Sequence, residues 1–176
     1  MKRLIQRLVL AAIATTALTA APVAQASSAT AAPSGLRSVS AQAGWIRIVN
    51  DNSDQCLAIG GGNASPGVAA IQWHCNGGAE QSWYVNGNAW SPIKYNSELC
   101  LAIGNRSTTP GAKAILWPCN GGPEQLWYVG GPATSPIRNN NSGKCLAIGG
   151  RSTTPGATAI QWTCNGGPEQ DWWFYN

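Results

Sequence analysis

The sequence predicts an all-β domain of about twelve short strands, arranged in three repeats and closed into a barrel. Three observations lead there. A segment running from Cys-Leu-Ala-Ile to Gln-x-Trp occurs three times, as Cys56 to Trp83, Cys100 to Trp127 and Cys145 to Trp172. The first cysteines stand 44 and 45 residues apart, and the final tryptophans keep the same steps. A fixed period of this size marks symmetric units, each too small to bury a core alone. No stretch carries a helical period over three turns, while short apolar runs alternate with Gly, Pro, Asn and Ser clusters. Four short strands per copy leave many edges, and barrel closure removes them economically.

The first 26 residues read as a secretory signal peptide. Lys2, Arg3 and Arg7 make a positive start, Leu8 to Ala21 is apolar apart from threonines, and Ala24-Gln25-Ala26 fits a small-x-small cleavage pattern. The apolar run is shorter than the ~20 residues a membrane span needs. No other stretch approaches that length, so no span is expected and the mature chain is expected to be secreted. Residues 27–43 are rich in Ala, Ser and Thr without an apolar period, as in a disordered leader. The domain follows over 44–176, in repeats 44–88, 89–132 and 133–176. That length suffices for one domain with a real core.

Each repeat opens on a brief apolar run, at Ile46 and Ile48, at Ile93, and at Ile137. Polar turn clusters come next, at Asn50 to Asp54, Asn96 to Glu98 and Asn139 to Gly143. The Cys-Leu-Ala-Ile strand follows, then a loop through Pro66-Gly67, Pro110-Gly111 or Pro155-Gly156. An Ile-x-Trp-x-Cys strand, an Asn-Gly-Gly turn and Gln-x-Trp complete the copy. If Cys56 faces Cys75 in an antiparallel pair, Ala58 faces Trp73, Ala102 faces Trp117 and Ala147 faces Trp162. Alternation then puts cysteine, alanine and tryptophan on an outer face, with Leu57 and Ile59 on the core face.

All six cysteines lie in the repeats, as Cys56 and Cys75, Cys100 and Cys119, and Cys145 and Cys164, each pair 19 apart. Pairing within each copy is the scheme that treats the copies alike and closes equal loops. With export, three intra-repeat disulfides are expected, each contributing roughly 3 kcal/mol in the chain-entropy model. No C-x-x-C pair occurs and His74 is the one histidine, so neither a metal site nor a cofactor is expected.

Charge narrows the partners. Three of the eleven basic residues lie in the signal, leaving eight against seven acids. A nearly neutral domain with scattered charges carries no nucleic-acid patch and no basic membrane face.

These features resemble the ricin B-type lectin family, a β-trefoil with a Q-x-W triplet in each of three repeats. The likeness spans the whole domain. It rests on Gln81-Ser82-Trp83, Gln125-Leu126-Trp127 and Gln170-Asp171-Trp172, on the Cys-Leu-x-Ile openings and on Trp-x-Cys-Asn-Gly-Gly. The resemblance implies six two-stranded hairpins, three making a barrel and three capping it, with Trp83, Trp127 and Trp172 in the shared core. It also implies a lectin, with shallow pockets for galactose-type or xylan-type sugars, one per repeat. The family pocket has an aspartate two residues after the first cysteine and an aromatic before the second. An asparagine often precedes the Q-x-W glutamine.

The chain departs from that pattern in every copy. Ala58, Ala102 and Ala147 stand at the aspartate position, and Glu80, Glu124 and Glu169 at the asparagine position. Ile71, Ile115 and Ile160 replace a frequent glutamine, while the aromatic persists as Trp73, Trp117 and Trp162. Two readings of the glutamates stand. They are relocated acceptors facing an uncovered indole, or they are solvated turn residues beside tryptophans of the outer packing. The candidate site residues are Trp73, Glu80 and Gln81; Trp117, Glu124 and Gln125; and Trp162, Glu169 and Gln170.

The expected function is a secreted, monomeric carbohydrate-binding protein, with up to three weak sites acting by avidity on glycans or polysaccharide. The alternative is a trefoil that binds protein as an inhibitor or scaffold. Two loops share Arg-Ser-Thr-Thr-Pro, from Arg106 and Arg151, which favours a repeated site over one inhibitory loop. An enzyme is not expected. His74 has Pro118 and Thr163 as counterparts, and threefold-related glutamates fall too far apart for a glycosidase pair.

Overall fold

The ring closes on β1 (Ala43–Asn50), which pairs antiparallel with β4 (Trp83–Asn86) through its first half and with β13 (Asp171–Tyr175) through its second. The computed structural model describes residues 43–87, 89–130 and 134–176, so the expected signal peptide and almost all of the leader lie outside the described residues. The same double pairing recurs around the ring. β8 (Leu126–Tyr128) pairs with β5 (Trp90–Pro92) and with β10 (Arg138–Asn139), and β13 also pairs with β9 (Thr134–Pro136). A bridge between Tyr84 and Lys94 joins the first repeat to the second. The last strand of each repeat thus pairs with its own opening strand and with the opening of the next repeat. Among the described residues, these pairings join the three repeats into one ring.

Three hairpins cap the barrel: β2 (Cys56–Ile59) with β3 (Ala70–Trp73), β6 (Leu99–Ile103) with β7 (Ala114–Pro118), and β11 (Cys145–Ile148) with β12 (Ala159–Trp162). Bridges Ala69–Ile115, Ile71–Thr158 and Lys113–Ile160 tie the hairpins to one another. The fold is the expected all-β trefoil, with thirteen strands among the described residues where about twelve are expected. The extra strand has a local cause. Pro92 and Pro136 occupy the position of Arg47, and a proline gives no N–H to the ladder. β1 therefore runs unbroken, whereas the third repeat divides its opening into β9 and β10.

The core is threefold in its chemistry. Trp83, Trp127 and Trp172 are fully buried, among Leu57, Leu101 and Leu146 and Ile59, Ile103 and Ile148. Each indole Nε1–H donates to the carbonyl of the leucine after the first cysteine of its own repeat, at 2.8 Å from Trp83 and Trp127 and 3.0 Å from Trp172. Burial of a large aromatic is favourable only if its polar handle finds a partner, and this bond supplies it. The three intra-repeat disulfides are present, each with a Cα–Cα distance of 5.1 Å.

The cysteine register differs from expectation by two residues. Cys56 faces Trp73, Cys100 faces Trp117 and Cys145 faces Trp162, so Ala58, Ala102 and Ala147 face Ile71, Ile115 and Ile160. Two of the three second strands end at the tryptophan, and in all three copies the disulfide reaches diagonally to a cysteine beyond the strand. A shift of two preserves the alternation, so the assignment of residues to faces stands. The outer face is nevertheless not a surface. Cys56 and Ala58 are as buried as Leu57 and Ile59, because the 3-10 turn Ala79–Gln81 packs over them.

Candidate functional site

Each repeat forms one pocket above that covered face. The pockets of the first, second and third repeats measure about 290, 390 and 360 Å3. The floor in each is the cross-strand pair alanine and isoleucine: Ala58 and Ile71, Ala102 and Ile115, Ala147 and Ile160. One wall is Trp73, Trp117 or Trp162, each close to half exposed. The opposite side carries Glu80, Glu124 or Glu169. The structure thus brings each predicted tryptophan and glutamate to one cavity.

The glutamines do not join them. Gln81, Gln125 and Gln170 are buried, and both ends of each amide are used. Gln125 Nε2 donates to the Pro118 carbonyl at 2.8 Å, and its Oε1 accepts from the Asn120 N–H at 2.9 Å. Gln81 spans His74 and Asn76, and Gln170 spans Thr163 and Asn165, in the same way. These three side chains hold the Asn-Gly-Gly turn and are buried away from the pocket surface. Their place is behind the pocket, as supports of the turn that carries the glutamate.

In the second and third repeats the glutamates are neither bare acceptors nor solvated turn residues. Glu124 and Glu169 are each 4% exposed. Arg106 Nε lies 3.1 Å from Glu124 Oε2, and Arg151 Nε donates to Glu169 Oε2 at 2.9 Å. The carboxylates fold back over Gly122 and Gly167, where a Cβ would collide with them. The second glycine of Asn-Gly-Gly is therefore required by the glutamate two residues later. The arginines are held in the left-handed region, at φ 52° and 54°. A side chain there costs about 1–2 kcal/mol, because Cβ crowds the following carbonyl. An ion pair with one exposed partner returns at most about 1 kcal/mol. Stability alone does not account for the arginine.

The first pocket is built differently. Gly62 stands where the other repeats have arginine, at φ 65°. Glu80 is only partly buried, and its Oε1 accepts from Asn76 Nδ2 at 2.9 Å. Among the described residues, Asn120 and Asn165 make no such bond to their glutamates and line their pockets instead.

Supports from neighbouring repeats follow the same division. Asn139 Nδ2 donates to the Glu124 carbonyl at 2.9 Å, and Asn50 Nδ2 to the Glu169 carbonyl at 3.0 Å. The counterpart in the second repeat is Tyr95, which has no amide and packs edge-on against Trp83. Gln161 Nε2 donates to the carbonyls of Ser107 and Thr109, and Gln72 Nε2 to those of Ser152 and Thr154. These two glutamines fasten the arginine loops of the second and third repeats. Leu116 is their counterpart, so the first loop has no such clasp. Ser53 and Ser142 hydroxyls orient the two glutamines, at 2.7 and 2.6 Å.

Arg106, Arg151, Asn120 and Asn165 are absent from the sequence-derived site. The repeated Arg-Ser-Thr-Thr-Pro was the available signal for the arginines. Asn120 and Asn165 read as turn residues, which they also are, since each Oδ1 accepts from a glycine N–H two residues on at 2.8 Å. Near the third pocket, burial and then the Asp51 and Glu169 carboxylates push the Asp171 carboxyl above its usual range.

Barrel, caps and three aromatic pockets define a β-trefoil with one candidate ligand site per repeat. The profile of the ricin-type beta-trefoil lectin domain matches residues 44–175, and the chain belongs to that family. A designed threefold-symmetric protein, ThreeFoil, is similar at 28% identity and TM-score 0.71, over 75% of this chain and 98% of that one. An exo-beta-1,3-galactanase from Clostridium thermocellum also matches at 28% identity and TM-score 0.69, over 74% of this chain but 30% of its own. The C-half of an earthworm R-type lectin, in complex with GalNAc, shares the fold at 22% identity and TM-score 0.61, over 74% and 97% of the two chains. No curated protein matches the chain in sequence.

Proposed function

We propose that the protein is a secreted carbohydrate-binding protein whose symmetry-related pockets each take one sugar ring. The observation that carries this reading is the recurrence, in one cavity per repeat, of a half-exposed tryptophan over an apolar floor beside a carboxylate. An indole face covers the C–H face of a pyranose, while charged and amide groups at the rim engage its hydroxyls. Family membership and the GalNAc-bound relative support the same reading. Each pocket is lined by a single carboxylate, which suits binding and not a two-carboxylate hydrolysis. Weak sites on one rigid body gain avidity on a polymer. Three disulfides fit an oxidising, extracellular compartment.

A glycan and polysaccharide array on the domain, followed by calorimetry with Trp117→Ala and Trp162→Ala, tests the reading. Binding that falls at least tenfold in the double variant supports it. Binding undiminished in the double variant removes the pockets from the reading. An array with no carbohydrate ligand, together with a protein captured through these pockets, replaces it with the protein-binding alternative.

A further inference from the structure

We infer that the second and third pockets select sugars bearing a carboxylate, and that the arginine makes this selection. The inference rests on the carbohydrate-binding reading above and narrows it to acidic glycans. The reason lies in which hydrogen-bonding groups remain available. The floor is alanine and isoleucine, so no acceptor rises from it. The buried carboxylate is covered by the guanidinium. What faces solvent beside the indole is the guanidinium itself, with the arginine side chains 66% and 64% exposed. Asn120 and Asn165 add an amide to each rim. The pocket therefore offers donors, and its ligand must bring acceptors.

A guanidinium presents its N–H groups in a planar fork that matches a carboxylate. The guanidinium meets the glutamate through Nε, which leaves the terminal nitrogens to other partners. Glutamate below anchors the fork, and Arg151 Nη2 packs beside Gly167, while each arginine side chain stays about two-thirds exposed. The backbone supports a role beyond packing. Arg106 and Arg151 hold a left-handed conformation that Gly62 adopts in the first pocket without a side chain. Strain kept at the same place in two repeats, and absent from the third, marks a position retained for its side chain. Gln161 and Gln72 fasten those same two loops and leave the first free of such a clasp. A pyranose stacked on Trp117 or Trp162 places a ring carboxylate toward the fork. The acidic groups near these sites are Glu124 at the second, and Glu169 with Asp171 at the third, so the second pocket should be the tighter.

The test uses the whole mature chain and calorimetry with two matched pairs of probes. One pair is trigalacturonic acid and its carboxyl-reduced trimer. The other is sialyllactose and lactose. The first pair asks for a uronate and the second for a sialate. The expected result is binding of an acidic member at two sites per chain. Its neutral partner should bind at least tenfold more weakly, and raised salt should weaken the acidic member. Arg106→Gln with Glu124→Gln, and the same pair of changes at Arg151 and Glu169, should abolish the preference without leaving a bare buried charge. The sugar-side comparison does not depend on how those variants fold. Equal affinity within both pairs, or three equivalent sites, overturns the inference while the carbohydrate reading stands. If these four probes and the array all fail to bind, the reading itself falls.

Discussion

The second and third pockets differ from the first in four ways that share one origin. Both have an arginine over a buried glutamate, an asparagine from the next repeat on the glutamate carbonyl, and a glutamine fastening the loop. In both, the Asn-Gly-Gly asparagine lines the pocket instead of bonding the glutamate. The first pocket has Gly62, Tyr95 and Leu116 at the corresponding supporting positions, and Glu80 is bonded to Asn76. Two of the missing supports fall at Tyr95 and Leu116, which belong to the second repeat and not the first. A pocket in this fold is therefore a joint product of two repeats, and losing specialised residues from one repeat impairs its neighbour.

The largest effect should show where the comparison disappears. Trp83→Ala and Trp127→Ala should each lower stability by about 3–5 kcal/mol, as deletion of a buried aromatic does. Both indoles are buried and bonded alike, so urea unfolding should give nearly the same loss for the two. A clearly smaller loss for Trp83→Ala would mean that the asymmetry reaches the core.

Gln72→Ala should cost about 1–3 kcal/mol, because it strands the Ser53 hydroxyl and two loop carbonyls. Amide exchange should speed up around Ser152 to Thr154, in a different repeat from the substitution. Exchange confined to residues near Gln72 would contradict the clasp.

Gly62→Arg transplants the missing side chain. The left-handed backbone should lower stability by about 1–2 kcal/mol. In return, the number of ligand sites per chain in calorimetry should rise. An unchanged number would show that the clasp from Gln161 or Gln72 is as necessary as the arginine.

The smallest effect concerns Asp171. Its carboxyl is raised in the native state above the ordinary 3.8, chiefly by burial and then by Asp51 and Glu169. A raised acid binds its proton more tightly when folded. It therefore lowers stability as pH climbs from 3.8 through the native value, and it has no such effect below 3.8. Asp171→Asn should be slightly more stable than the parent at neutral pH, with the advantage fading in acid. Melting temperatures at pH 7 and pH 3 provide the check. A gain that is constant with pH would point to packing and not to charge.

Much of this was legible in the chain. The cysteine spacing and Q-x-W triplets point to the fold, and alternation along Cys-Leu-Ala-Ile assigned faces correctly. The register did not follow from the cysteines, since a disulfide links residues diagonally as readily as directly. Gln81, Gln125 and Gln170 lie buried behind the pockets, and burial cannot be seen in a triplet. Glu124 and Glu169 were found, but their arginines were not joined to them. Residues 18 apart in an irregular loop and a turn have no periodic relation.

The sequence by itself determined the threefold β architecture, the pairing of cysteines within repeats, and the meeting of tryptophan with glutamate. The first two follow from period, which is local and repeats in step, and the third from the resemblance to the family pocket. Only the tertiary structure decided which pockets are complete. Asn50, Gln72, Asn139 and Gln161 act on loops and carbonyls of another repeat, across contacts formed only when the ring closes. The same closure covers Glu124 and Glu169 and turns two surface carboxylates into the buried bases of an arginine fork.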